Sequence, residues 1–222
     1  MSNNINFLKD SENYISYIYD EVNNNKSMSI YDLAADKTAL IIMDMVNGFV
    51  KEGALSSDRI LNINEKIADL SRVCSKLNIE KLAFADCHEA DCKEFLSYPV
   101  HCLKDTNESK VTCEILNTGD ITIINKNSTN GYLEPEFKQF LLKRPMLDTF
   151  IIVGDCTDIC VKQFALTMKA DFNRMNKDLR IIIPINLVET YDNDSHNANL
   201  LNIISLYDMM INGIDICKEI KF

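Results

Sequence analysis

Tryptophan is absent from the 222 residues, so any aromatic wall has to be built from the ten Phe and eight Tyr. An excess of positive charge is absent too: 23 Lys and Arg stand against 33 Asp and Glu, a formal net charge of −10. That balance argues against a basic face for nucleic acid and against an anionic membrane as partner. The lysines are dispersed, with no block of like charge. Long apolar runs are missing; Ala39 to Met43 and Ile181 to Ile185 are far too short to span a bilayer. Met1-Ser2-Asn3-Asn4-Ile5-Asn6 has no basic n-region and no apolar h-region, so no signal peptide is expected. No repeat, no low-complexity tract and no CxxC pair is present, and the last absence argues against a thiol redox protein. Eight cysteines remain. A chain of this length buries a real core without disulfide staples, and the cysteine spacing does not resemble a secreted framework. Free thiols in a reducing cytoplasm are expected.

What is present alternates between apolar runs and helix-like stretches. Residues 8–23 read as an amphipathic helix, with Leu8, Ile15, Ile18 and Val22 as its stripe and Tyr14 and Tyr17 at the borders. A polar break at 23–27 separates this N-terminal extension, residues 1–30, from a domain spanning 31–222. Strands are expected at 38–43, 81–85, 121–124, 150–153, 179–184 and 214–217. Helices are expected at 60–77, with Leu61, Ile67, Leu70 and Val73 facing inward, and at 134–142, from 159 and at 196–211. This order predicts an α/β fold of three layers, α/β/α, with a mainly parallel central sheet plus the extra N-terminal helix. Ligands of such sheets bind at the carboxyl ends of the strands.

The strand ends carry the chemistry. Asp44 ends the first run, Lys126 follows the run at 121–124, and Cys160 opens a helix after the turn Gly154-Asp155-Cys156-Thr157-Asp158. A thiol at a helix N-terminus is expected to have a lowered pKa, and backbone N–H groups there can receive an oxyanion. A carboxylate to accept the thiol proton and an ammonium to favour thiolate complete a nucleophilic site. Each residue also has a plain reading: Cys160 as inert core, Asp44 as a turn cap and Lys126 as a solvated loop residue.

A second constellation starts at Asp86-Cys87-His88. Positions two apart on an extended chain share a side, so Asp86 and His88 point together and Cys87 away. Glu94 and His101 follow, and two of the chain's three histidines fall in this window. Two His with one or two carboxylates suit a divalent metal that keeps open positions. A zinc site on Cys87, Cys92 and Cys102 is the rival, and unrelated polar loop residues are the plain alternative. The third histidine, His196, is expected in the first turn of the last long helix rather than as a general base. Cys74, Cys113 and Cys217 read as core or surface thiols. Thr190-Tyr191 sits where a pocket edge is expected and has no assigned role.

The motifs Ala39-Leu40-Ile41-Ile42-Met43-Asp44-Met45-Val46-Asn47-Gly48-Phe49, Lys126-Asn127-Ser128-Thr129-Asn130-Gly131-Tyr132 and Val153-Gly154-Asp155-Cys156-Thr157-Asp158-Ile159-Cys160-Val161 occur in that order. In this the chain resembles the isochorismatase-like cysteine hydrolases from about Thr38 to Ile216. Asp86-x-His88 and Pro99-Val100-His101-Cys102 are similar to the metal-binding segments of the nicotinamidases within that family. The resemblance implies a catalytic triad of Asp44, Lys126 and Cys160. It also implies an oxyanion hole from the backbone N–H groups of Cys156 and Cys160, with a cis peptide before Cys156. It implies a divalent metal, zinc with iron or manganese as the other options, on Asp86, His88 and His101. Glu94 stands where some nicotinamidases use an extra ligand. A ring-binding wall of Phe49, Tyr98 and Tyr132 is expected, around a small-molecule amide substrate. Family members often oligomerise, so a homo-oligomer is expected.

The chain departs from the nicotinamidase pattern at Cys87-His88-Glu89, where Trp-His-Pro is common, at Tyr98, often Trp, and at Val46-Asn47-Gly48, where Gln-Asn-Asp is usual. These departures touch the pocket walls and leave the triad intact. Another amide or ureido hydrolase on the same triad, and a metal-binding member without catalysis, are the competing readings.

Overall fold

The computed structural model describes residues 4–222, so the first three residues of the N-terminal extension lie outside the described chain. The chain opens with helix α1 (Asn4–Asn23) and a two-residue strand β1 (Met28–Ser29). Next come β2 (Thr38–Met43), the short α2 (Asn47–Val50), α3 (Asp58–Lys76) and β3 (Glu80–Asp86). They are followed by α4 (Cys113–Leu116), β4 (Thr122–Lys126), α5 (Pro135–Leu142) and β5 (Thr149–Asp155). The last part holds α6 (Lys162–Arg174), β6 (Arg180–Pro184), β7 (Val188–Glu189), α7 (Ala198–Ile211), β8 (Asp215–Cys217) and β9 (Ile220–Lys221).

The central sheet has the order β4-β3-β2-β5-β6-β8, every pair is parallel, and β7 pairs with the end of β5. The inner strands read as apolar runs because both faces are covered: all six residues of β2 are buried. Alternate residues feed two cores. Ile41, Met43, Phe84 and Ile152 join Phe137 of α5, Phe164 and Met168 of α6 and Leu206 and Met209 of α7. Leu40, Ile42, Ala83 and Val153 join Ile60, Ile63, Ile67 and Leu70 of α3. The expected three layers result.

The helix faces differ in detail from the expectation. In α3 the inward stripe is Ile60, Ile63, Ile67, Leu70 and Cys74, and Leu61 is 44% exposed. The stripe is set by where Ser57 caps the helix on the Arg59 N–H. In α1, which packs on α7, Ile18 and Val22 are buried, but Leu8 and Ile15 of the same expected stripe are exposed. The strand at 121–124 runs instead to Lys126, in an edge strand whose burial alternates. His196 lies before α7, because Asn197 is the residue that caps the helix, on the Leu200 N–H.

The chain runs outward from β2 to β3 and β4, then returns to β5 on the other side of β2. The strand order therefore switches between β2 and β5, the position where loops diverge and leave a crevice. Asp44, Asp86, Lys126 and the turn after Asp155 all sit at that end of the sheet. Among the described residues, no helix is long and apolar enough to cross a membrane.

Candidate active site

Register brings the first charged groups together. Phe84 pairs with Met43 on one side of β3 and with Ile124 on the other, and Asp86 pairs with Lys126. Lys126 is 1% exposed, and its Nζ lies 2.5 Å from Asp86 Oδ1 and 2.9 Å from Asp44 Oδ2. It also donates to the Ser128 carbonyl at 3.1 Å and reaches Cys160 Sγ at 3.7 Å. One ammonium thus touches two carboxylates and the thiol. Asp44 is fully buried, and its φ of 51° lies in the left-handed region, which turns its side chain off the line of β2.

On the other side of the switch, Gly154 pairs with Met43 and has a φ of 110°. A Cβ there would collide with the Met43 carbonyl, so only glycine lets β5 close onto β2 at this point. The Asp155–Cys156 peptide is cis. Thr157–Val161 then forms a π-helical turn that leads into α6. The Cys156 carbonyl accepts from the N–H groups of Ile159 and Val161 at 3.1 Å each, which fixes the turn carrying Cys160. Cys156 and Cys160 are 7% and 6% exposed, so both are nearly closed off from solvent.

The electrostatics overturn one expectation. Burial pushes the Cys160 thiol well above its ordinary range even though Lys126 pulls the other way. The start of the helix does not make a resting thiolate here, because desolvation of a nearly closed site outweighs the cation and the N–H groups. Burial also raises the Asp44 carboxyl to about 7, against the pull of Lys126. Burial opposes the charge on Lys126, yet Asp44 and Asp86 hold its pKa well above the usual lysine value. Burial likewise opposes the charge on Asp86, but Lys126 and the two histidines hold it well below the carboxylate range. The resting site is a neutral thiol beside a carboxyl that titrates near neutrality and a permanent ammonium.

Asp86 also belongs to a second group. Its Oδ2 lies 3.1 Å from His88 Nε2 and 3.2 Å from His101 Nε2, and Glu94 Oε1 lies 3.9 Å from His88 Nε2. The donor atoms of Asp86, His88, Glu94 and His101 all fall within 4.8 Å of one another. The far nitrogens are engaged elsewhere: His101 Nδ1 donates to the Pro99 carbonyl at 2.7 Å, and His88 Nδ1 to Asn127 Oδ1 at 3.1 Å. Those bonds leave Nε2 of both rings turned to the carboxylates, the usual outer support of a metal-binding histidine. His88 Nε2 is buried without a hydrogen bond. Burial works against protonating His88, but Asp86 outweighs it and lifts the pKa to about 9, so the cluster attracts positive charge. Two imidazoles and two carboxylates fit a divalent cation. Among the described residues this is the group of donors close enough to hold one, and the cysteines expected as a rival set are not part of it. Cys92 Sγ approaches only the far Nδ1 of His88, at 3.4 Å.

The aromatic residues divide. Phe49 packs on His101 with ring centroids 5.6 Å apart, and Tyr98 stands edge-on to the same ring at 6.3 Å. Tyr132 does not join them. Its hydroxyl donates to Asp171 Oδ2 at 2.6 Å near the far end of α6, and its ring packs on Phe137 and Phe164 in the core. The turn Gly131–Leu133 directs the ring under α6, because a larger group at Gly131 would strike Phe84. Phe95, which carried no sequence signal, contacts both metal-group histidines, at 5.3 and 5.6 Å. His196, expected in the first turn of the last long helix, instead faces the nucleophile turn: its Nε2 lies 2.9 Å from Asp158 Oδ2, two residues before Cys160.

A family model described as the isochorismatase domain matches residues 38–211, which include β2, the turn bearing Cys160 and all of α7. The chain belongs to the isochorismatase family. This isochorismatase-like hydrolase is 26% identical over 216 residues to Nicotinamidase 1 of Arabidopsis thaliana, covering 82% of this chain and 86% of that protein. Its fold is shared with the N-carbamoylsarcosine amidase of Thermoplasma acidophilum, at a TM-score of 0.66 and 23% identity over 82% of this chain and 95% of that one. It is shared as well with the pyrazinamidase of Pyrococcus horikoshii in complex with zinc, at a TM-score of 0.67 and 20% identity over 81% of this chain and 98% of that one.

Proposed function

We propose that this hydrolase is a metal-dependent nicotinamidase, converting nicotinamide and water to nicotinate and ammonia through a thioester on Cys160. The observation that carries this reading is the shared Asp86. One oxygen holds Lys126 against the nucleophile and the other faces His88 and His101. A substrate whose ring nitrogen meets the metal group therefore presents its amide near the thiol. When bound on Asp86, His88, Glu94 and His101, a divalent ion such as zinc supplies a Lewis-acidic contact that orients the ring. The likeness to a nicotinamidase and to a zinc-bound pyrazinamidase supports both parts.

The chemistry follows from the protonation states. Asp44 accepts the Sγ proton as sulfur attacks the carboxamide carbon, and Lys126 holds the resulting charges together. The N–H groups of Cys156 and Cys160 receive the oxyanion. The C–N bond breaks as Asp44 returns the proton to the leaving nitrogen, and ammonia departs. Water then attacks the thioester, giving one proton to Asp44. The C–S bond breaks, the thiol recovers that proton, and nicotinate is released.

Because Asp44 must be ionised to accept the proton, and its carboxyl titrates at about 7, kcat/KM is expected to fall as pH drops through that value. A pH profile measured from 5 to 9 shows this limb; a flat acid side rules Asp44 out as the base. The paired change His88→Ala with His101→Ala is expected to abolish tight divalent metal binding, read as metal per chain after dialysis, and to lower kcat/KM by about 100-fold or more.

The second reading, hydrolysis of a carbamoyl or ureido compound, is favoured by the likeness to an N-carbamoylsarcosine amidase. Ammonia release from nicotinamide and from N-carbamoyl amino acids, assayed side by side, separates the two. The proposal expects nicotinamide to be the better substrate by kcat/KM, and the reverse order replaces it with the second reading.

A further inference from the structure

The segment from β7 to the cap of α7 runs beside the nucleophile turn, and the reaction described above makes no use of it. Its base is rigid. Val188 and Glu189 pair with Gly154 and Asp155, the residues that lead into the nucleophile turn. Arg59 Nη2 from α3 donates to both carboxylate oxygens of Glu189 at 3.1 Å. Its far end folds back on itself, with Asn193 and His196 exchanging backbone hydrogen bonds at 3.0 and 3.1 Å. Between these anchors sits Tyr191, half-buried against the core group that holds Phe49, Val153 and Cys156.

His196 ties this segment to the nucleophile turn. Its Nδ1 meets the Tyr191 carbonyl at 2.8 Å and its Nε2 meets Asp158 Oδ2 at 2.9 Å. The Tyr191 ring lies flat on the imidazole, with centroids 3.9 Å apart and an interplanar angle of 18°. A stacked ring whose own carbonyl is bonded to the ring beneath it has little freedom to swing. Burial raises the Tyr191 hydroxyl to about 12, and Cys156, Tyr98 and Asp158 add to the shift. The Tyr98 hydroxyl is raised by burial and then by Cys160, Glu94, Cys156 and Asp158. Tyr98 stands at the His101 ring and Tyr191 is tied to the nucleophile turn through His196 and Asp158, so the two tyrosines bracket the site from its metal group and its nucleophile turn. Around them, Thr157 Oγ1, Asp158 Oδ1 and Thr190 Oγ1 are buried without a hydrogen-bond partner, an arrangement that a polar ligand in the cleft relieves.

We propose that Tyr191 is an aromatic wall of the substrate cleft together with Tyr98, and that His196, braced on Asp158, is the positioning residue that sets where this wall stands. The wall selects flat ring amides over aliphatic ones. The inference rests on the amide hydrolysis proposed above for its choice of substrate, but not for the geometry of the cleft.

Two readouts test it. In steady-state kinetics with nicotinamide, Tyr191→Ala is expected to raise KM by roughly tenfold with a smaller effect on kcat, and Tyr191→Phe recovers most of that loss. His196→Asn is expected to raise KM part of the way and to add nothing when combined with Tyr191→Ala, since it acts through that ring. In the second readout, iodoacetamide labelling of Cys160 is followed by mass spectrometry of its peptide. Labelling several-fold faster than in the wild type is expected for both Tyr191→Ala and His196→Asn, as the wall opens. Independent, multiplying effects on KM overturn the positioning role, as does a fall in kcat at unchanged KM in His196→Asn. Labelling rates equal to wild type in both variants overturn the wall. If the wild type releases no ammonia from nicotinamide while both variants label faster, the proposed substrate falls and the wall stands.

Discussion

Cys160→Ala is expected to lower ammonia release from nicotinamide by about 10⁴-fold or more, to the level of the solution background. Removing Sγ removes the atom that bonds to the carbonyl carbon, and no other thiol can take its place. Cys156, the nearest in sequence, is likewise nearly closed off, and burial holds its thiol well above the ordinary range. Metal content is expected to stay at the wild-type level, because the donor group reaches the nucleophile only through Asp86 and Lys126. Cys160→Ser separates nucleophile from shape. Asp44 titrates at about 7, which suits a thiol proton but not the far less acidic serine hydroxyl, so the serine variant is expected to be about as inactive as the alanine one. A stopped ammonia assay and metal analysis on the same preparations check both statements. Retained turnover in Cys160→Ala removes the nucleophile assignment.

Lys126→Met carries the largest expected effect on stability. Lys126 is held by two buried carboxylates, at 2.9 Å from Asp44 and 2.5 Å from Asp86. Taking away the ammonium leaves two like charges facing each other without a cation. Breaking a buried pair in this way costs about 3–5 kcal/mol. For a chain of this size that corresponds to a melting point lower by roughly 6–20 °C. The sign of its pH dependence follows from Asp44, whose carboxyl is already raised in the folded protein. Without Lys126 it rises further. A carboxyl with a folded-state pKa above its unfolded value favours the native state at low pH and loses that contribution as pH rises. The deficit of Lys126→Met relative to wild type is therefore expected to be larger at pH 8 than at pH 5, measured by urea unfolding. A deficit independent of pH means that the lost packing of the side chain, and not the unpaired charge, dominates.

The inner strands were legible because both faces are buried. Thr38–Met43 and Phe150–Val153 read as unbroken apolar runs, and so the strand ends that carry Asp44 and the nucleophile turn were legible too. Lys126 looked like a loop residue because β4 is an edge strand, where polar residues alternate with apolar ones. Only the register, Asp86 opposite Lys126, reveals that the ladder itself delivers the ammonium. Asp86 and His88 were readable as neighbours from the period of two, while His101 and Glu94 could be offered only by residue type and nearness in sequence, since loops carry no period. Tyr132 misled for the same reason: a short turn after a strand does not announce which way its ring points, and this ring packs on Phe137 and Phe164 while its hydroxyl bonds Asp171 of α6. Burial of whole groups was not legible either. The thiol of Cys160 was expected to be acidified by its place at a helix start, but its 6% exposure reverses the shift. His196, its partner Asp158 and the stacked Tyr191 are separated by more than thirty residues of sequence from one end to the other, and only the fold brings them together.

The central claim is that Cys160 hydrolyses a ring amide through a thioester. It is tested most directly by turning over nicotinamide with metal-replete protein in the presence of hydroxylamine, which intercepts acyl-enzymes. The expected result is ammonia release with nicotinohydroxamate formed at the expense of nicotinate, and neither product from Cys160→Ala. No ammonia from nicotinamide, or nicotinate formed without any hydroxamate, contradicts it.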